Sequence, residues 1–192
     1  MPTSDAELTR QALAESQAAF SALVGRYASA AVNVAARLVG DRALAEELAQ
    51  DAFVKAFARL ETFDPERHFS SWFFRILHNV SVDYLRQRRI TTTSLDALLT
   101  GGYAGPADHD PASSPETETE RKALAVALAD ALVQLRVEFR EALILKYHQG
   151  LSLAEIAEIL DIPEGTVKTH LYRGRKELAL ILSAAGWGPP TP

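Results

Sequence analysis

Apolar residues recur along this chain at intervals of three and four, with no sustained alternation, so the pattern predicts helices and no strands. Three main helices are expected in the first half, at about 5–38, 41–61 and 70–89, and four in the second, at about 117–135, 138–148, 152–160 and 163–183. Asp41, just after Gly40, is placed to cap the second helix. Asp64-Pro65 breaks the chain, and Ser70 or Ser71 is placed to cap the third. On the second helix Leu44, Leu48, Ala52, Phe53, Phe57 and Leu60 predict a broad buried face. On the third, Phe69, Trp72, Phe73, Ile76 and Val80 fall within about a third of the circumference and predict a core face.

The periodicity stops between the halves. Residues 91–119 hold Gly101, Gly102, Gly105, Pro106, Pro111 and Pro115, and 101–120 carry five acids with no Lys or Arg. Such a stretch buries too little apolar surface to offset its ordering entropy, so it reads as a flexible acidic linker. The predicted fold is all-α, with two helical domains, 1–90 and 118–183, a linker over 91–117 and an irregular tail over 184–192.

The clearest motif lies in the second domain. Ser152 and Glu155 have the S-x-x-E spacing of a capping box, with Leu151 and Ile156 placed as its hydrophobic staple. The short helix that follows is expected to bury Ile156, Ala157 and Leu160. Asp161 tolerates a left-handed turn, and Pro163 suits the first turn of the next helix. On that helix Val167, Leu171, Gly174 and Leu178 share one side, and Lys168, Thr169, Tyr172, Arg173 and Lys176 the other. A short helix, a tight turn and a helix with a basic polar face is the arrangement that enters a major groove. Lys168 and Thr169 would reach base edges, and Arg173, Arg175 and Lys176 would meet phosphates. A helical hairpin with a merely solvated basic face fits the same spacing.

Charge adds a second feature. The 192 residues sum to −5, which does not suit a general nucleic-acid binder, yet residues 67–89 hold five arginines against one acid. A stripe of Arg75, His78, Asn79, Val82, Arg86 and Arg89 runs beside the aromatic face of the third helix. Arginines offset phosphate charge, and aromatics offer a surface for base stacking, although Trp72 and Phe73 equally suit a core. The second helix presents Glu47, Gln50, Asp51 and Val54 on one face. The two acids repel, and the valine stands alone among polar groups. A basic partner surface or plain solvation accounts for that face equally.

Other chemistry finds no support. There is no Cys, and His68, His78, His109, His148 and His170 form no metal-ligand spacing. Phosphate-loop, dinucleotide and nucleophile-elbow motifs are missing, so neither an enzyme nor a cofactor or metal site is expected. No apolar run is long enough to span a bilayer and the N-terminus does not read as a signal peptide, so a cytoplasmic protein without direct membrane insertion is expected.

Three segments resemble one family. Residues 46–57, the third helix from Phe69 to Arg89, and Ser152–Leu178 are similar, in this order, to regions 2.2, 2.3–2.4 and 4.2 of the extracytoplasmic-function (ECF) sigma factors of bacterial RNA polymerase. The resemblance implies that Glu47, Gln50, Asp51 and Val54 bind core RNA polymerase. It implies that Trp72, Arg75, His78, Asn79, Arg86 and Arg89 act on the −10 promoter DNA. It implies that Thr166, Lys168, Thr169, His170, Tyr172, Arg173, Arg175 and Lys176 read the −35 element. It also implies control by an anti-sigma factor. This sequence departs from the family's common residues at Phe57, His170 and Asp161, which stand where Trp, Arg and Gly are usual. A stand-alone helix-turn-helix transcriptional regulator accounts for the last segment but not for the other two.

Overall fold

The computed structural model describes residues 3–65, 67–91 and 115–187. Of the expected linker, 91–117, residues 92–114 lie outside the described residues, while Thr91 ends one helix and Pro115 begins the next; of the expected tail, 184–192, residues 188–192 lie outside them. The described residues form helices and turns only. The helices are α1 (Asp5–Leu13), α2 (Gln17–Val39), α3 (Arg42–Ala58), α4 (Phe69–Thr91), α5 (Pro115–Gln134), α6 (Val137–Leu143), α7 (Leu153–Leu160) and α8 (Glu164–Ala184). A π-helical turn over Ile144–His148 extends α6.

The single helix expected over 5–38 is two. Glu15 adopts φ 63°, and the Ser16 amide donates back to the Gln11 carbonyl at 3.0 Å, closing α1. The Ser16 hydroxyl then caps α2 by accepting from the Ala19 amide. Ala14 and Glu15 are good helix formers, so propensity hides the break. Asp5 fixes the corner by accepting from both Arg26 and Tyr27 of α2. Burial, with the Asp5 hydrogen bond, pushes the Tyr27 hydroxyl well above the usual phenol range.

Asp41 caps α3 as expected, accepting from the Leu44 amide. The buried stripe of α3 is mostly alanine, Ala45, Ala49, Ala52 and Ala56 with Leu48, so α2 and α4 approach closely. Phe57, expected in the core, is instead 59% exposed and meets Phe20 edge-on at 4.9 Å between centroids. It lies one position beyond Ala56, off the stripe. Neither Ser70 nor Ser71 caps α4, because both sit inside its first turn, and Ser71 is buried with its hydroxyl unpartnered. Phe69, Phe73, Ile76 and Val80 are buried as expected, Trp72 only partly. Phe74, Leu77 and Ser81 are buried too, on a second side of α4.

In the second half the capping box is complete. Ser152 Oγ accepts from the Glu155 amide, and the Glu155 carboxylate accepts from the Ser152 amide at 2.8 Å. The Ser152 hydroxyl and amide hold the Glu155 carboxyl below its usual range. Asp161 takes the left-handed turn, at φ 57° and ψ 45°. Pro163 stands one residue earlier than expected, as the N-cap of α8 rather than in its first turn. Ile156 and Ile159 are the fully buried residues of α7, with Ala157 and Leu160 only partly covered. Val167, Leu171 and Gly174 bury one face of α8. At Gly174 an added Cβ would meet Phe139 and Leu143 at 3.1 Å, so the missing side chain lets α8 lie close on α6.

What covers the second side of α4 is the other half of the chain. α7 packs along α4, and α2 meets α5, α6 and the π-helical turn. The buried apolar residues of the two halves form one continuous cluster, with Leu38, Phe74 and Leu77 joined to Ile144, Leu145 and Ile159. Arg140 of α6 is buried and donates to the carbonyls of Leu38, at the end of α2, and of Val133 and Leu135. Desolvation lowers its pKa to about 10.

Candidate nucleic-acid interface

The outer face of α8 carries the expected residues. Lys168, Thr169, Tyr172, Arg173, Arg175 and Lys176 are all exposed. The Thr169 hydroxyl donates back to the Gly165 carbonyl at 3.0 Å, and Arg175 donates to the Tyr147 hydroxyl at 3.3 Å. Lys168, Arg173 and Lys176 form no ion pair with any described residue. Thr166 is half-buried at the first turn.

His170 does not join this face. Its ring packs edge-on against Phe139 at 5.5 Å, and its Nδ1 is sealed from solvent without a partner. The sequence held the signal. Val167, His170, Leu171 and Gly174 follow the i, i+3, i+4, i+7 spacing of a buried stripe.

The stripe expected on α4 divides. Asn79 and Arg86 are exposed, with Arg86 only 4.0 Å from Asp83. The side chain of Arg89 lies outside the described residues. Arg75 reaches across to Asp161 in the turn between α7 and α8, Nη2 to Oδ2 at 3.0 Å. His78 is half-buried, its Nδ1 2.5 Å from Oε1 of Glu141. The base-stacking alternative for Trp72 and Phe73 also divides, because Phe73 is fully buried against Phe53 and Phe69 whereas Trp72 packs on Phe63 and is half-buried.

On α3, Glu47, Gln50, Asp51 and Val54 form one exposed face, with Val54 68% exposed. Beside it runs an open groove lined by Leu13, Phe20, Phe53, Phe57 and Leu60. Sequence reasoning missed this groove, because an aromatic at a helical spacing reads as core unless the partner helix stops short of it. Here only Phe20, in the first turn of α2, meets Phe57, and the rest of the ring stays exposed.

The halves match two family descriptions, Sigma-70 region 2 over residues 23–90 and Sigma-70, region 4 over residues 125–178. The ECF RNA polymerase sigma factor SigW of Bacillus subtilis (strain 168) is 34% identical over 165 residues, 84% of this chain and 88% of that one. The chain belongs to the ECF sigma factors. A sigma factor directs core RNA polymerase to promoters and starts transcription there, and the basic face of α8 and the arginines of α4 lie within its region 4 and region 2 respectively. The ECF RNA polymerase sigma-E factor of Escherichia coli (strain K12) is 31% identical over 181 residues, 90% of this sigma factor and 93% of that one. Two solved structures resemble it at a TM-score of 0.69. One is CnrH in complex with the cytosolic domain of CnrY, 28% identical, covering 94% of this chain and 97% of its own. The other is the sigma factor RpoE in complex with the anti-sigma factor NepR from Bartonella quintana, 27% identical, covering 85% and 96%. Among the described residues no helix is long and apolar enough to cross a membrane, and no cluster of His, Asp or Glu is arranged to hold a metal.

Proposed function

We propose that this sigma factor divides its work among three surfaces. The face of α3 formed by Glu47, Gln50, Asp51 and Val54, with the groove at Phe20 and Phe57 beside it, docks on core RNA polymerase. Its two acids suit a basic partner surface, and its apolar residues gain by leaving water. The α4 helix, through Asn79, Arg86 and Arg89 together with Trp72, Arg75 and His78, opens and holds the −10 element. The α8 helix reads the −35 element with Lys168 and Thr169 at bases and Arg173, Arg175 and Lys176 at phosphates. Residues 1–90 and 118–183 are the two working domains and 91–117 their tether. An anti-sigma factor, of the kind bound in a solved relative, holds the chain inactive in the cytoplasm.

The observation that carries this reading is the placement of two basic helix faces in separate halves of an acidic chain, with an exposed acidic and apolar face on a third helix. Run-off transcription with core polymerase tests it. Asn79→Ala with Arg86→Ala is expected to abolish promoter opening while binding to core polymerase is retained. Lost polymerase binding would overturn the division of roles.

A further inference from the structure

We propose that Tyr147, on the π-helical turn that ends α6, is a further promoter-binding residue, whose hydroxyl holds Arg175 of α8 and grips with it a single DNA phosphate beside the −35 bases. The inference rests on the reading of α8 as the −35 reader. It carries that surface onto a second element, outside the two helices of the helix-turn-helix.

The first argument is the shape of the turn. From Phe139 to Leu145 every residue is buried. A continued α-helix would put Tyr147 on the face of Ile144, Leu143 and Arg140, which precede it at helical spacing. The chain widens instead, and the Gln149 amide donates to the Ile144 carbonyl at 3.2 Å. A π turn of this kind re-aims the side chains that follow, and such turns recur at functional sites. Tyr147 comes out 62% exposed. The turn is also tied down. Lys146 donates to the Leu151 carbonyl at 3.0 Å, and the Leu151 amide donates to the Leu145 carbonyl at 3.2 Å.

The second argument is what the phenol meets. Lys168, Tyr172 and Arg175 follow one another at i, i+4 and i+7, so Arg175 continues the strip that Lys168 begins. Arg175 Nη1 donates to Tyr147 Oη at 3.3 Å. Arginine only donates, so the phenol accepts here and keeps its own O–H, which has no acceptor among the described residues. No described carboxylate pairs with Arg175. A phenol is uncharged at neutral pH, so the contact orients the guanidinium without neutralising it. Two adjacent donors, one charged and one neutral, suit two oxygens of one phosphate.

Stability does not account for the contact, since a hydrogen bond between two exposed side chains contributes little to folding. Its effect is on where Arg175 points. A free arginine loses rotamer entropy when it meets a phosphate, and one already held loses less.

The test uses the full chain with core polymerase on a promoter that this complex transcribes. Tyr147→Phe removes the hydroxyl and keeps the ring. It is expected to weaken promoter binding about fivefold, with denaturant stability and −35 base preference unchanged. In an Arg175→Gln background the same substitution should cost less than about twofold, because the arginine it would hold is gone. Independent, multiplying effects of the two substitutions, or a changed base preference, would overturn the proposal.

Promoter duplexes with one methylphosphonate at a time, across and beside the −35 element, give a readout that a merely structural role would not move. At one position, neutralising the phosphate should weaken binding of the wild-type complex. That sensitivity should vanish in both Tyr147→Phe and Arg175→Gln, and at the same position. Loss at two different positions, or sensitivity retained in Tyr147→Phe, refutes the shared grip while leaving α8 as the −35 reader. A wild-type complex insensitive at every position would instead sink the reading of α8, and the inference with it.

Discussion

Ser152 shows how much one hydroxyl does in this fold. It satisfies an orphan amide of α7, shares its own amide with Glu155, and so fixes where the first helix of the DNA-reading unit begins. Ser152→Ala is expected to cost about 1 kcal/mol in denaturant unfolding. The cost should depend on pH. Hydrogen bonding to Ser152 lowers the Glu155 carboxyl, so its contribution is full above the unfolded value of about 4.3 and is lost as pH falls through the lowered folded value. The wild-type advantage over Ser152→Ala should therefore shrink in acid. A gap that stays constant down to the acid unfolding limit would contradict this account. His170 teaches the reverse lesson. Its likeness to a DNA-contacting position placed it on the outer face, whereas its spacing from Val167 and Gly174 turns the half-buried ring against Phe139.

Among the helices, α8 keeps the two faces its sequence announces, since the buried stripe and the basic face are set by residues within one or two turns of each other. Its outer cations lie open to phosphate. Lys168→Ala and Arg173→Ala are each expected to weaken binding of the polymerase complex to promoter DNA. A loss of phosphate contact reduces the slope of log affinity against log salt by about 1, as expected for Arg173. Lys168, reaching a base edge, should instead change the −35 preference. Identical effects of the two on salt slope and preference would remove the distinction. By contrast, α3 and α4 were read only in part. The alanine stripe of α3 carries little hydrophobic contrast, so Phe57 looked like the natural core residue. On α4 the second buried side, at Phe74, Leu77 and Ser81, exists because α7 lies on it.

For the molecule as a whole, an acidic surface surrounds two small basic ones, and one of these is partly covered by the other half. Both features should keep the free chain off DNA. Core polymerase holds both readers near one promoter and raises their effective concentration. Promoter affinity is expected to rise by at least about a hundredfold when polymerase is present, measured by electrophoretic shift at fixed salt. Strong specific binding by the free chain would count against the division of surfaces.

Most helix positions, the caps at Asp41 and Ser152, the two-faced α8 and the resemblance at residues 46–57, 69–89 and 152–178 were readable from the chain, because each depends on neighbours a few residues away, whereas the break at Glu15 and the start of α4 at Phe69 were not. The Ser152–Glu155 box and the left-handed Asp161 needed no knowledge of distant residues. His78 against Glu141, 63 residues on, and Arg140 against Leu38, 102 residues back, had no such local trace. Burial at those positions is set by which surfaces meet once the chain has folded, and helical periodicity carries no record of which helix will lie on which.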